Sequence, residues 1–187
     1  IHLLKDYEEK TPNNAVSPSS KLLISCKKGD INATLVALRM GASPIERDHK
    51  MCTALILAVT SGHLECINAL IENRTWACIK FINLSDSRGK TALMIASKRG
   101  DLNIVSLLVR SKASVDLRDA SHDTCLVIAA KSGHTKTVKY LVEEAKAYLY
   151  AEGENGYTAL EWAKFYHHRE TTEYLAIMMR GINRPPA

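Results

Sequence analysis

The chain has 187 residues, 46% of them hydrophobic and 24% charged, and its 25 Lys and Arg against 20 Asp and Glu give a formal net charge of +5. That length and apolar content suffice for a substantial buried core, and the few glycines and prolines exclude a collagen-like or low-complexity chain. No apolar run reaches the ~18 residues of a membrane helix, and the modest charge falls short of the basic footprint of a nucleic-acid binder.

Because the chain opens on Ile1 rather than Met, it is expected to be a piece of something longer. No signal peptide is visible, though a truncated start would hide one. Ile1, Leu3, Leu4 and Tyr7 fall at helical spacing within Ile1–Lys10. This stretch is expected to be either the second helix of a unit that begins upstream or a capping helix. Pro12, Asn13, Asn14 and Ser17-Pro18 then predict a turn through Thr11–Pro18.

From Ser20 onward the chain repeats itself. Ser20 stands nine residues before Gly29, as Thr53 does before Gly62, Thr91 before Gly100 and Thr124 before Gly133. Thr158 opens a further copy, and the Thr-to-Thr steps are 38, 33 and 34 residues. A period in the low thirties marks a stacked array. Within each copy the Thr hydroxyl can cap a helix by accepting from an orphan N–H. Leu55 and Ala58, Leu93 and Ala96, Leu126 and Ala129, and Leu160 and Ala163 share one helical face at i, i+3. The small Ala admits a neighbouring helix closely, and the Gly ends the short helix. A second helix follows in each copy. Leu64–Ile71, Leu102–Val109 and Thr137–Val142 are apolar enough to be buried on most sides.

The surplus of the longest step lies between Asn73 and Leu84, in Arg74–Ile82. These residues are apolar for a loop, which predicts a lengthened second helix or a packed loop. Near the end, Glu170–Met179 is more polar, as the terminal unit of an array must be on its outer face. Asn183–Ala187 reads as a frayed tail.

The block Gly89-Lys90-Thr91-Ala92-Leu93-Met94-Ile95-Ala96-Ser97 resembles the Gly-x-Thr-Pro-Leu-His-x-Ala-Ala signature of the ankyrin repeat. Gly62-His63 and Gly133-His134 match that family's Gly-His between helices, Gly29-Asp30 and Gly100-Asp101 are variants, and Gly41-Ala42 keeps its Gly-Ala. Two features depart from the family. The Pro is Ala or Cys in every copy, and the signature His is Ile56, Met94, Val127 or Glu161. The resemblance implies an all-α ankyrin-repeat solenoid of helix-turn-helix units joined by β-turn or hairpin loops. A partial or capping repeat and turn would fill residues 1–18 and the array residues 19–178. Its repeats would span about 19–47, 48–85, 86–118, 119–152 and 153–178, with a tail at 179–187.

Several local motifs invite other readings and are better explained by the repeat. Arg88-Gly89-Lys90-Thr91 looks like the end of a phosphate-binding loop, but that loop needs a second Gly where Leu84 stands. The cysteines are Cys26, Cys52, Cys66, Cys78 and Cys125. Their count is odd and there is no Cys-x-x-Cys, so they read as free thiols of a reducing, intracellular compartment, the cytoplasm with the nucleus as an alternative. His63 and Cys66 are too few for a metal centre, and no nucleophile–base set stands outside the repeat pattern, so neither a cofactor nor catalysis is expected. Three sequons, at Asn32, Asn73 and Asn83, are read as chance. Asn83 stands where family members are hydroxylated, but is expected simply to hydrogen-bond its turn.

The resemblance further implies where a partner binds: on the turn tips and the exposed face of the first helices. Carried over by position, the tips offer His49, Lys50, Arg88, Lys90 and Tyr157. The helix faces offer Lys27, Lys28, Lys98, Arg99 and Lys131, then the aromatics Trp162, Phe165 and Tyr166. A basic stripe beside aromatic anchors is a common hot-spot composition. The expected function is non-catalytic recognition of another protein, with an acidic segment and an apolar anchor in the partner, by a monomeric module of a larger chain. Alternatives are an acidic polymer on the basic stripe, nucleic acid or anionic membrane, and a targeting module for a catalytic domain outside these residues. Trp162 and Tyr166, taken as exposed, are expected to tolerate replacement by Ala.

Overall fold

The computed structural model describes residues 17–73 and 81–181. The helix expected at Ile1–Lys10, most of the insertion after Asn73 with Cys78 in it, and the tail from Asn183 to Ala187 lie outside these residues. Among the described residues the chain forms ten α-helices and no strand. They come in antiparallel pairs: α1 (Pro18–Lys28) with α2 (Ile31–Arg39), α3 (Ala54–Ser61) with α4 (Leu64–Glu72), and α5 (Ala92–Arg99) with α6 (Leu102–Arg110). The last two pairs are α7 (Cys125–Lys131) with α8 (Thr135–Glu143) and α9 (Ala159–Phe165) with α10 (Arg169–Gly181). The first helices of the pairs stack in order, α1 on α3, α3 on α5, α5 on α7 and α7 on α9. The second helices form an outer layer, α2 on α4, α6 on α8 and α8 on α10. The step from α4 to α6 is the looser one. This is the all-α repeat solenoid expected from the sequence.

The core is one continuous apolar column between the layers. Leu22, Leu55, Leu93 and Leu126 lie on it at the same register and are at most 1% exposed. Ala58, Ala96, Ala129 and Ala163 are fully buried, so the small side chains sit where inner helices press together.

Thr53, Thr91 and Thr124 cap α3, α5 and α7 as expected, each hydroxyl accepting from the backbone N–H three residues on at 3.4 Å. At Thr158 the reach is reversed. The Glu161 carboxylate accepts from the Thr158 backbone N–H at 2.7 Å and from its hydroxyl at 2.9 Å. The first inner helix differs from expectation. It begins at Pro18, capped by Ser17, whose Oγ accepts from Ser20 N–H at 3.1 Å. Proline at the first helical position costs no hydrogen bond and presets φ, so Ser17-Pro18 opens the helix instead of breaking it. The last helix runs to Gly181, slightly beyond the polar stretch read from the sequence.

Between inner and outer helices the Gly is required twice over. Gly100 has φ +71°, and a Cβ there would strike the His134 ring of the next repeat. His134 Nε2 in turn bonds the Lys98 carbonyl at 2.9 Å. His168 repeats this geometry against Gly133 and the Lys131 carbonyl, at 3.0 Å. In the pair His167-His168, which stands where earlier repeats have Gly-His, His167 takes the left-handed conformation of the missing Gly, at φ +58°. Where the position is Asp101 instead, the carboxylate caps α6 by accepting from Ile104 N–H at 3.2 Å. Arg99 then does the work of the absent His. Its guanidinium lies against Gly62 and donates to the Thr60 carbonyl at 2.7 Å.

Candidate interaction surface

The turn tips are built around an aspartate. Asp48, Asp86 and Asp119 each accept, through one oxygen, the N–H groups two and four residues ahead, at 2.8 to 3.0 Å. Neighbouring tips are tied by backbone bonds, Ser87 N–H to the Lys50 carbonyl at 3.1 Å and Ala120 N–H to the Arg88 carbonyl at 3.0 Å. Arg47 and Arg118, just before two of these aspartates, donate across to the Ser85 and Glu152 carbonyls of the following repeats. Sequence reasoning had missed both; their shared register before the turn Asp was the available signal. Asn83 also bridges repeats. Its side chain donates to Ser114 Oγ at 2.9 Å and accepts from Ser114 N–H at 2.8 Å.

The last tip has Gly153 where the aspartate should be. Asp123 of the preceding repeat fills the gap, accepting from Glu154 N–H at 3.0 Å. The same carboxylate holds Lys131 through its other oxygen, and Glu154 holds Lys131 at 2.9 Å. The Lys131 ammonium also lies 3.9 Å from the centroid of the Trp162 ring. Burial alone would lower the Lys131 pKa, but the bonds to Asp123 and Glu154 outweigh it and raise the pKa above its ordinary value. Asp123, an acid where Cys52 and Lys90 stand in other repeats, was the sequence trace of this lock.

Of the residues singled out at the tips, His49 and Lys50 are exposed. Arg88 is open to solvent and 3.7 Å from Asp86, while Lys90 is half-buried and 3.6 Å from Asp119. On the inner helices, Lys27, Lys28 and Lys98 are exposed and form no ion pair among the described residues. Arg99 is exposed but bound to the Thr60 carbonyl, and Lys131 is neutralised. The expected stripe is thus discontinuous, with its free cations in the first three repeats.

The aromatics do come together. Tyr166 stacks on Trp162 at 5.7 Å, while Tyr157 and Phe165 meet it edge-on at 5.3 and 5.5 Å. Phe165, Tyr166 and Tyr157 are 60%, 48% and 41% exposed, whereas Trp162 is 6% exposed. Trp162 is the floor of the cluster and not its contact surface, which revises the expectation that it tolerates loss. Its indole N–H is buried without a hydrogen-bond partner among the described residues.

Cys26, Cys66 and Cys125 are buried free thiols, and Cys52, in the tip beside Lys50, is half-buried. Burial pushes Cys26 and Cys125 up to about 12 and Cys52 up to about 11. Among the described residues no three His, Cys, Asp or Glu side chains converge on a metal site, and no helix is long and apolar enough to cross a membrane.

Comparison with known proteins agrees with this architecture. The chain is 34% identical over 121 residues to the glycerophosphocholine phosphodiesterase gde1 of Schizosaccharomyces pombe, a match covering 64% of this chain. The chain spans only 10% of that relative's length. The family profile described as ankyrin repeats, in three copies, matches residues 22–119 and 97–184. With that match across most of its length and the paired-helix geometry above, the chain belongs to the ankyrin-repeat family, whose arrays are protein-interaction modules.

Proposed function

We propose that the exposed row on the inner helices docks an acidic segment of a partner protein, with an apolar side chain of that segment seated on Phe165 and Tyr166. One observation carries the reading. The free cations Lys27, Lys28 and Lys98 share a helical register with exposed aromatics at the far end of the same stacked face. Rigid stacked helices fix these contacts before binding, so little entropy is lost on the array's side. The tips carrying His49, Lys50, Arg88 and Lys90 form the rim of that surface. The array at 19–178 acts as a monomer in a reducing compartment, a reading supported by its buried thiols. The short share of the phosphodiesterase relative supports a place within a longer chain, where the array would recruit a substrate or localise a neighbouring domain.

An acidic polymer would use the cations and leave the aromatics idle. The test is capture from lysate with two altered baits beside the native one, Lys98→Glu and Phe165→Ala. Capture of the same protein by the native bait, and its loss with either variant, is expected. Loss with Lys98→Glu alone, steeply salt-dependent, would indicate a polyanion instead. Equal recovery by all three baits would move the binding surface elsewhere.

A further inference from the structure

The ladder of side chains on the inner helices sets the spacing of the partner's contacts as well as their type. At one register the stacked helices present Lys27, Thr60, Lys98, Lys131 and Phe165 in turn. Lys131 is withdrawn from this row by Asp123, Glu154 and the face of Trp162. It offers a partner no free charge, and Thr60 offers none either; its hydroxyl donates to the Ile56 carbonyl at 2.7 Å. The charged and aromatic positions therefore alternate with neutral ones: cation, neutral, cation, neutral, aromatic.

Packed helices lie about 8–10 Å apart, so Lys98 and Phe165, two helices apart, are separated by roughly 16–20 Å, and Lys27 lies as far again beyond Lys98. An extended chain covers about 3.3–3.6 Å per residue, so roughly five or six residues bridge each gap. Resting on the surface proposed above, we infer that this array reads an extended peptide in which an acidic residue and an apolar anchor stand about five or six residues apart, with a second acidic residue the same distance beyond the first. The neutral rungs at Thr60 and Lys131 tolerate uncharged residues between these points. Acid placed opposite Lys131 gains nothing, because that ammonium already holds two carboxylates.

The test uses synthetic peptides with an Asp-Glu pair and a Leu anchor joined by two, four, five or nine prolines. Proline spacers hold about 3.1 Å per residue and make the separation rigid. Binding to the full 187-residue chain is followed by fluorescence anisotropy. The four- and five-proline peptides are expected to bind at least tenfold tighter than the two- and nine-proline peptides. Lys98→Glu and Phe165→Ala should each abolish that preference, with circular dichroism confirming that both variants fold. Equal affinity for all spacers, still weakened by both substitutions, would overturn the spacing while leaving the surface in place. No binding by any peptide, or binding that neither substitution alters, would overturn both.

Discussion

Leu93 lies near the middle of the array and is 1% exposed, in the same apolar core as Leu55 and Leu126 of the neighbouring repeats. Leu93→Ala removes its methyl groups from a site closed on every side and should cost about 2–5 kcal/mol. Urea unfolding checks this, and a loss below 1 kcal/mol would break the assigned register. Trp162 and Phe165 are one turn apart on α9 and should separate cleanly. Trp162→Ala should destabilise by about 3–5 kcal/mol as a large buried side chain. Phe165→Ala, at 60% exposure, should leave the melting temperature within a few degrees and weaken partner binding. The buried thiols give a pH signature. Burial raises Cys26 and Cys125 from an ordinary 9.0 to about 12 in the folded chain, so folding favours the neutral thiol. Their contribution is intact below pH 9 and is lost as pH rises from 9 toward 12. Denaturation midpoints should therefore fall above pH 9, and thiol reagents at pH 8 should modify these two cysteines only on unfolding. Fast labelling of the native chain would contradict that burial.

At the scale of the element, the turn shows how a repeat absorbs an irregular residue. Three tips carry their own aspartate, and the fourth borrows Asp123 from the repeat before it. Restoring regularity with Gly153→Asp should therefore destabilise, because the new Cβ would meet the Asp123 carboxylate already there. Overpacking of this kind costs about 1–3 kcal/mol. An unchanged or raised melting temperature would show that Asp123 does not hold this turn. The interhelical corner follows the same logic, with His134 and His168 reaching back to a carbonyl and Arg99 replacing the His that Asp101 displaces. The sequence made the helices, their Thr caps and the left-handed glycines legible, since each depends on local chemistry repeated at a fixed period. It did not reveal Ser17-Pro18 as a helix start, where the breaker and cap readings of the same residues compete. Nor did it reveal the roles of Arg99 and Lys131. Those depend on which side chain of the adjacent repeat lies within reach, and a single repeat does not encode that distance.

At the scale of the whole molecule, the array is a ruler whose divisions are helix widths. Stacking places like positions in rows, so a residue's number within its repeat already fixed its row. That is why the candidate binding positions could be read from sequence as a surface. Which of them are free to bind was not legible. Lys131 reads as a surface residue by register and Trp162 by its place one turn before Phe165, but one is neutralised and the other buried. The cations at one end of the row, unpaired among the described residues, and the exposed aromatics at the other remain as the proposed recognition surface. The most direct test is hydrogen exchange across the chain with and without the captured partner. Protection should gather on α1, α5 and α9 around Lys28, Lys98 and Phe165, leaving α2, α6 and α10 unchanged. Protection confined to those outer helices, with the inner row unaffected, would place recognition on the opposite face and contradict the account.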